Sequence, residues 1–455
     1  MGGILKQYYA VISANIVTLI YGVAVGWPSA SLPLLQSAES PLPGGPLTLL
    51  ECSWIGSVLC LGGASGQIFF GWLAGKFGRK PAILFSFIPG VASWLLIAFG
   101  TGFYHLFIAR FLSGFIGGAA FQVVPLIVSE VSSVQVRGSL GSLLILFHNG
   151  GIVVGYALCS YTDYFFVPWC GIGLCVIFLV SYLFVPETPA YLALQGDHEA
   201  AKKSRNFFKS DEKSEDFELE SKKMMEKPEI LYAEEEKFKF SDVFTPATKK
   251  ALIIGVILAN TVSFSGAFTL TNYYETIFRE AGSSLSPAAS SIIVASIQCA
   301  GSYSTTLTVE RVGRKFLILA SAYGSATCLA VMGLYSCLKD LNVDVSSYGW
   351  LPLLCLSLLV FIAANGASSV PYVVIGEIFA QNVRGFLVSV CNIANWTTSF
   401  ILVLVFPYMI EYLKLYGALW VFTVIGSILA TIIAFIMPET KGLSIERIVE
   451  ILGSR

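Results

Sequence analysis

Two glutamate–arginine pairs recur at one spacing in the two halves of the chain. Glu130 stands seven residues before Arg137, and Glu377 stands seven residues before Arg384. Each arginine is followed by glycine, and long apolar runs flank both pairs. Opposite charges in a half-buried setting attract strongly, although desolvation offsets part of the gain. The spacing therefore predicts ion pairs that hold moving parts of the molecule together and break when those parts separate.

Two further motifs repeat in step with these pairs. A Gly-Arg-Lys step occurs at Arg79 and again at Arg314, which Glu310 precedes by four residues. A Pro-Glu-Thr step occurs at 186–188 and again at 438–440. We expect Arg79, Glu310 and Arg314 to join the four charges above in a set of inner-gate salt bridges. The alternative is that these charges only cap helix ends and fix the orientation in a membrane.

An apolar composition dictates the elements that must position these charges. Of the 455 residues, 55% are hydrophobic and 13% are charged, and the mean hydropathy is +0.73. Soluble proteins carry about 25% charged residues. The composition therefore excludes a water-soluble fold. It predicts an all-α integral membrane protein, because backbone amides in lipid must be bonded within their own segment.

Twelve apolar segments are each long enough to cross the ~30 Å hydrocarbon core as a helix. We number them span 1 to span 12. The first six are centred near Thr18, Leu61, Gly90, Phe115, Leu146 and Ile177. The second six are centred near Val262, Ile297, Ala326, Val360, Phe400 and Gly426. Because the motifs repeat between the two sets, we predict two parallel six-helix bundles around one central path.

Charge is concentrated between the two sets of spans. The segment 186–250 holds 27 of the 57 charged residues. We therefore divide the chain into an N-terminal six-helix half (1–185), a charged cytoplasmic linker (186–250), a C-terminal six-helix half (251–437) and a cytoplasmic tail (438–455). Mixed-sign runs at helical spacing favour short helices in the linker, and a disordered linker is the alternative.

The basic residues predict the orientation. If both termini and the linker lie on one side, that side collects 24 of the 28 Lys and Arg. Cytoplasmic loops of membrane proteins carry such an excess. We expect a multi-pass protein of the cell membrane with both termini in the cytoplasm.

Several classes of function are disfavoured by what the sequence contains. The ten cysteines show no CxxC spacing, and most fall in apolar runs, which is typical of small buried hydrophobes. No basic stripe suggests nucleic-acid binding. We predict no metal, no cofactor, no enzymatic activity and no obligate protein partner.

Taken together, the motifs resemble those of the sugar porter family of the major facilitator superfamily, over nearly the whole chain. The resemblance rests on the paired Gly-Arg-Lys and Glu…Arg-Gly loops and on the segments 186–192 and 438–446. The segment 26–30 and the short N-terminus are similar to insect facilitated trehalose and glucose transporters. The resemblance implies the major facilitator fold with a cytoplasmic helical linker. It also implies transport of a small neutral sugar across the bilayer by alternating access.

The resemblance further implies which residues contact the substrate. A sugar brings many hydroxyls and no charge, which suits amide side chains because they both donate and accept hydrogen bonds. The residues that match sugar-contacting positions are Asn149, Ser263, Gln298, Tyr372, Asn395, Trp396 and Ser399. Lone polar groups in membrane helices can instead serve helix packing, and Trp396 can instead pack towards lipid.

Span 7 departs from the family pattern. Val262 and Ser263 stand where the family has paired glutamines, and Phe268 stands where it has an asparagine. Tyr372 replaces a tryptophan in span 10. Each lost hydrogen bond to a hydroxyl ligand costs ~1 kcal/mol. These changes keep two alternatives open: a carrier of another polyol or small organic solute, and a sugar sensor that does not transport.

Two more features follow from the resemblance. Asn272, Tyr273 and Tyr274 match the aromatic outer gate of the family, with an interfacial aromatic belt as the alternative. Arg110 lies inside span 4, where proton-coupled relatives pair such an arginine with an acid on span 1. No Asp or Glu occurs between Tyr8 and Ser31. We therefore predict uncoupled, facilitated diffusion.

Overall fold

The computed structural model describes residues 2–133, 135–208, 240–441 and 445–454. Within these ranges the side chains of 305–311 and 381–382 are among those that are not described. Regular structure in the described ranges consists of helices alone. The all-α class predicted from the composition is therefore confirmed.

The N-terminal half contains spans 1 to 6, and span 3 consists of two helices. The helices are Gly3–Gln36 (span 1), Leu49–Phe77 (span 2), Arg79–Phe85 with Phe87–Ala98 (span 3), Phe103–Val131 (span 4), Arg137–Tyr161 (span 5) and Phe166–Leu183 (span 6). The described part of the linker adds short helices at Pro189–Leu194 and His198–Phe208 and a 3₁₀ turn at Phe240–Phe244. The predicted helices of 209–239 lie outside the described residues.

The C-terminal half contains spans 7 to 12, and two of them are broken. The helices are Pro246–Phe264 and Ala267–Thr271 (span 7), Tyr274–Ala281, Pro287–Val312 (span 8), Arg314–Asp340 (span 9), Leu351–Asn365 with Val370–Glu377 (span 10), Gln381–Ile436 (spans 11 and 12) and Ile445–Ser454 in the tail. A 3₁₀ turn lies at Ser346–Tyr348. Spans 11 and 12 meet at Lys414, whose backbone is not helical.

The number of spans agrees with the sequence. Ten helical segments of the described residues are long and apolar enough to cross a membrane. One of them, Val383–Ile436, holds both span 11 and span 12. Span 8, which carries eight serine or threonine residues, supplies the remaining helix. The result is the twelve-helix arrangement expected from the two sets of six.

Prolines inside the spans free carbonyl groups that other side chains bind. Pro28 has no N–H for the carbonyl of Ala24, and the guanidinium of Arg110 donates to that carbonyl instead. Pro407 leaves the carbonyl of Val403 free in the same way, and the hydroxyl of Tyr273 donates to it at 2.9 Å. Such substitutes are required because a buried, unbonded carbonyl is costly in a membrane. Through these hydrogen bonds, spans 4 and 7 are connected to the proline-containing spans 1 and 11.

Candidate functional site

One end of the bundle, which we call the charged end, carries the repeated motifs. In the N-terminal half, Nη2 of Arg79 lies 2.6 Å from Oε1 of Glu130, and Nε of the same arginine donates to that oxygen at 3.0 Å. The Thr188 hydroxyl donates to the second oxygen of Glu130 at 2.5 Å. Both ion-pair side chains are 12% exposed. This geometry joins spans 3 and 4 to the start of the linker.

Glu187 of the first Pro-Glu-Thr step binds the beginning of span 3. Its carboxylate accepts hydrogen bonds from the backbone N–H groups of Arg79 at 3.2 Å, Lys80 at 3.0 Å and Thr188 at 2.7 Å. N–H groups at a helix start have no partner within the helix and favour an anion. Burial raises the pKa of Glu187 above its usual range, and these N–H donors oppose that rise.

Gly78 makes this approach possible. Its φ is +108°, in the region that favours glycine, and a Cβ there would collide with the Glu187 carboxylate. The Gly-Arg-Lys and Pro-Glu-Thr motifs are therefore two parts of one contact.

The C-terminal half repeats this contact. Glu439 accepts from the N–H groups of Arg314 at 3.0 Å and Lys315 at 3.1 Å, beside Gly313 with φ of +104°. The Thr440 hydroxyl donates to Glu377 at 2.8 Å, and Nη2 of Arg314 lies 3.4 Å from that carboxylate. The internal duplication seen in the sequence is thus present in the contacts.

The remaining predicted inner-gate residues are placed differently. Nη2 of Arg137 donates to the carbonyl of Ser132 at 3.2 Å. Nε and Nη2 of Arg384 are buried and have no hydrogen-bond partner in the part of the chain that the structure describes. The Glu310 side chain lies outside the described residues. Among the side chains that the structure describes, the ion pairs Arg79–Glu130 and Arg314–Glu377 each lie within one half, and Arg447–Glu450 lies within the tail. Pairing across the halves therefore stays a prediction.

Midway along the bundle, one polar cluster joins spans 5 and 8. Nδ2 of Asn149 donates to the hydroxyl of Ser302 at 2.7 Å, and Nε2 of Gln298 donates to Oδ1 of Asn149 at 3.3 Å. Because these two spans belong to different halves, the cluster bridges the halves. The structure thus brings together two of the predicted substrate residues and adds Ser302, which the sequence analysis missed.

A second polar cluster lies within the C-terminal half and contains four predicted substrate residues. The Ser263 hydroxyl lies 2.9 Å from Oδ1 of Asn395 and 3.0 Å from the hydroxyl of Ser399. Nδ2 of Asn395 donates to the hydroxyl of Tyr372 at 3.0 Å. Spans 7, 10 and 11 meet here, and the cluster carries donors and acceptors without a formal charge.

Trp396, the seventh predicted substrate residue, contacts the N-terminal half. Its Nε1 donates to Oε1 of Gln67 on span 2 at 3.1 Å, and its ring packs on Gly63. Nε2 of Gln67 points to Oε1 of Gln122 on span 4 at 3.5 Å. The sequence analysis missed both glutamines. In the sequence, each of them is a single amide within an otherwise apolar segment, and no motif of fixed spacing marks it.

The opposite end of the bundle, which we call the aromatic end, is closed between the halves. The Tyr156 hydroxyl of span 5 donates to the carbonyl of Thr271 at 2.5 Å, and its ring centroid lies 6.1 Å from that of Tyr274. The N–H of Glu275 donates to the hydroxyl of Ser29 on span 1 at 3.1 Å. Of the predicted outer-gate residues, Tyr274 therefore lies at the contact between halves.

The other two predicted outer-gate residues bond within the C-terminal half. Tyr273 bonds the carbonyl of Val403, as described above. Nδ2 of Asn272 donates to the carbonyl of Phe268 in its own helix at 2.9 Å. The Tyr273 hydroxyl also lies against Gly56 of span 2, so that Tyr273 contacts the N-terminal half as well.

Arg110 is fully buried between spans 1, 2 and 4. Besides Ala24, it donates from Nε to the carbonyl of Ile55 at 3.3 Å, and its guanidinium lies 5.5 Å from the centre of the Trp27 ring. Among the described residues these partners are carbonyls and an aromatic face, with no carboxylate bonded to it. Arg110 thus supplies the Ala24 carbonyl with the donor that Pro28 lacks, and its buried Nη2 has no hydrogen-bond partner among the described residues.

The fold matches that of a transporter of known structure. An inward-open structure of the xylose transporter XylE from E. coli superposes with a TM-score of 0.79 at 19% identity, covering 98% of this chain and 99% of that one. A partially occluded inward-open structure of the same transporter gives 0.78 over 96% of this chain. The protein thus has the twelve-helix major facilitator fold and is a multi-pass membrane protein.

The sequence comparison defines the family. The model of the "Sugar (and other) transporter" family matches residues 29–452, and the chain belongs to that family. It is 30% identical over 445 residues to the facilitated trehalose transporter Tret1 of Polypedilum vanderplanki, covering 98% of this chain and 88% of that protein. It is 30% identical to Tret1 of Drosophila virilis over 97% of this chain, which spans 48% of that longer protein. The resemblance to sugar porters and to insect trehalose transporters is confirmed.

Proposed function

We propose that this protein is a facilitative carrier that moves a small neutral sugar, trehalose or glucose, across the cell membrane by alternating access. The observation that carries the proposal is the pair of uncharged polar clusters in the middle of the bundle. They contain Asn149 and Gln298 at the junction of the halves, and Ser263, Asn395 and Ser399 in the C-terminal half. Membership of the sugar transporter family and the trehalose transporters among the relatives support the same substrate class.

The chemistry of these clusters suits a hydroxyl-rich ligand. Each cluster offers both donors and acceptors, and each hydrogen bond between side chains can be exchanged for one to a sugar hydroxyl at little net cost. The indole of Trp396 and the ring of Tyr372 supply flat apolar faces beside these groups. A charged substrate would find no formal countercharge among the residues of the two clusters.

The same observations favour uncoupled transport. Arg110 is bonded to carbonyls of spans 1 and 2, and span 1 holds no carboxylate to take up a proton between Tyr8 and Ser31. Sugar would therefore move down its own gradient. The proposal requires no cofactor, no metal and no obligate protein partner.

Alternating access would rest on the two halves, 1–185 and 251–437, which the linker 186–250 joins. The contacts described above close the aromatic end, and the ion pairs at the charged end lie within each half. We take this arrangement as the inward-facing state, with the charged end and both termini in the cytoplasm. In the outward-facing state the Glu and Arg side chains of the charged end would pair across the halves and form the inner gate.

Uptake of radiolabelled trehalose, glucose and polyols into proteoliposomes that contain the purified full chain tests the proposal. We expect saturable uptake of trehalose or glucose that stops when the internal and external concentrations are equal. Saturable uptake of a polyol alone would move the substrate class to polyols. No saturable uptake of any of these solutes, or a proton current driven by the sugar, would refute the proposal.

A further inference from the structure

Gln67 and Gln122 form a pair of amides in the middle of the N-terminal half. Gln67 lies 12 residues before Arg79, which stands just beyond the end of the Gln67 helix, about 18 Å at 1.5 Å per residue. Trp396 lies 12 residues from Arg384 on span 11, and therefore at the same depth. The hydrogen bond between Gln67 and Trp396 accordingly joins the two halves near the centre of the membrane.

These amides keep unused hydrogen-bonding capacity. A glutamine amide offers two N–H donors and two acceptor sites. Gln67 uses one acceptor site for Trp396 and one donor for a long 3.5 Å contact with Gln122. Gln122 accepts that contact through Oε1, its Nε2 donates to no residue that the structure describes, and both side chains are only partly buried. In contrast, the clusters around Asn149 and Ser263 bond mostly to themselves.

The depth of these partly buried amides indicates which way their side chains face. A polar side chain in a membrane helix faces the interior of the bundle or a water-filled cavity, because lipid offers it no partner. Gln67 contacts spans 4 and 11, which places it on the inner face of span 2. Its remaining exposure is thus towards the central path, next to the ring of Trp396.

We propose that Gln67, together with Gln122, hydrogen-bonds a hydroxyl of the transported sugar and helps to select which sugar is carried. This inference rests on the proposed function. The sugar hydroxyl would take the place of the long contact between the two amides, accepting from one and donating to the other. The Nε1–Oε1 bond from Trp396 holds the Gln67 amide in the orientation that presents its N–H groups to the ligand.

Selectivity among sugar analogues tests this role. Proteoliposomes with wild-type protein, Gln67→Leu or Gln122→Leu are compared in uptake of radiolabelled trehalose and glucose, with competition by each monodeoxy analogue of the sugar that is carried. If one hydroxyl bonds Gln67, the wild type binds the analogue lacking it about 10-fold more weakly than the parent sugar. Gln67→Leu should raise the KM for the parent sugar about 10-fold and bind that analogue no worse than the parent.

A matched control removes a hydrogen bond between helices far from the path. Tyr323→Phe deletes the bond to Thr431 between spans 9 and 12, on the outside of the bundle. It should leave KM and analogue selectivity unchanged. Gln67→Asn, which keeps an amide on a shorter side chain, should retain part of the selectivity and so separates lost recognition from misfolding.

The outcomes separate this inference from the proposed function. Absence of saturable sugar uptake by the wild type would overturn both. Wild-type uptake combined with an unchanged analogue profile in Gln67→Leu would overturn this inference alone. A change in maximal rate that is equal for all analogues would also overturn it, because it would make Gln67 a bond between the halves and not a contact to the sugar.

Discussion

The N-terminal half completes the broken backbone of span 7, and this predicts a measurable effect of one hydroxyl group. In an unbroken helix the N–H of Glu275 would bond the carbonyl of Thr271. Here the helix ends at Thr271 and restarts at Tyr274. Tyr156 donates to the carbonyl and Ser29 accepts from the N–H, so that two residues of the other half satisfy the separated partners.

Tyr156→Phe should therefore shift the molecule away from the state in which the aromatic end is closed. The closed state would keep a buried carbonyl without its donor, at a cost of about 1–3 kcal/mol. In the open state the carbonyl could accept from water or from the Glu275 N–H, and the substitution would cost little. Since 1.4 kcal/mol is a factor of ten, we expect the closed-to-open ratio to fall by about 5-fold to about 140-fold.

Electron–electron distance measurements between spin labels on the two halves can detect this shift. Asp163 and Leu341 lie exposed near the aromatic end, one in each half, and suit labelling after replacement of the native cysteines. Tyr156→Phe should add a population at longer distance, and Ser29→Ala should act in the same direction. A wild type that is closed in about 99% of molecules would be closed in about 91% after a 10-fold fall in the ratio.

A neighbouring tyrosine provides the control. The Tyr164 hydroxyl is buried and has no hydrogen-bond partner among the described residues, so that Tyr164→Phe removes the same atom without breaking a bond seen in the structure. It should leave the distance distribution as in the wild type. An unchanged distribution in Tyr156→Phe, or an equal change in Tyr164→Phe, would refute the reasoning.

Three further predictions concern the charged end, the kink of span 1 and the aromatic end. Glu187→Gln and Glu439→Gln should each lower the melting temperature of the purified protein, by the loss of about 1–3 kcal/mol of charge-assisted bonds to backbone N–H groups; equal melting temperatures would contradict this. Arg110→Leu should lower yield and melting temperature by leaving a span 1 carbonyl unbonded, and adding Pro28→Ala should restore part of both by supplying the missing N–H; no rescue would argue against the assigned role. Burial raises the pKa of Glu275. A carboxyl whose pKa is higher in the closed state than in the open state favours closure when it is protonated. This preference is complete below the open-state pKa and is lost as pH rises through the closed-state pKa. Glu275→Gln should therefore remove the pH dependence of the spin-label distances.

Much of the architecture could be predicted from the sequence because lipid leaves few choices. Apolar length fixed the spans, and the repeated motifs fixed their grouping, which the structural likeness and the family confirm. The breaks in spans 7 and 10 were harder to foresee. Gly266 adopts a φ of +79° in span 7, but many membrane helices contain glycine without breaking. The break depends on partners from other spans, and a single helix sequence does not contain them.

The polar residues show the same limit at the level of side chains. Asn149 and Gln298 were predicted as separate sugar contacts, and the structure joins them in one cluster. Gln67 was not predicted, because a lone amide in an apolar run has no spacing that marks it. We expect Arg137 and Arg384 to find their partners across the halves in the proposed outward-facing state. A sequence specifies both states at once, whereas the structure holds one.

The polarity of span 8 has a consequence for how the protein is made. Each apolar residue stabilises a helix in lipid, and eight positions of span 8 are serine or threonine. During synthesis, the insertion of span 8 into the membrane should therefore depend on its neighbours, spans 7 and 9. The other spans should depend less on their neighbours. Substitutions that add further polarity there should reduce the amount of inserted protein before they alter transport. We therefore expect membrane insertion, as well as transport, to limit how many polar residues span 8 can carry.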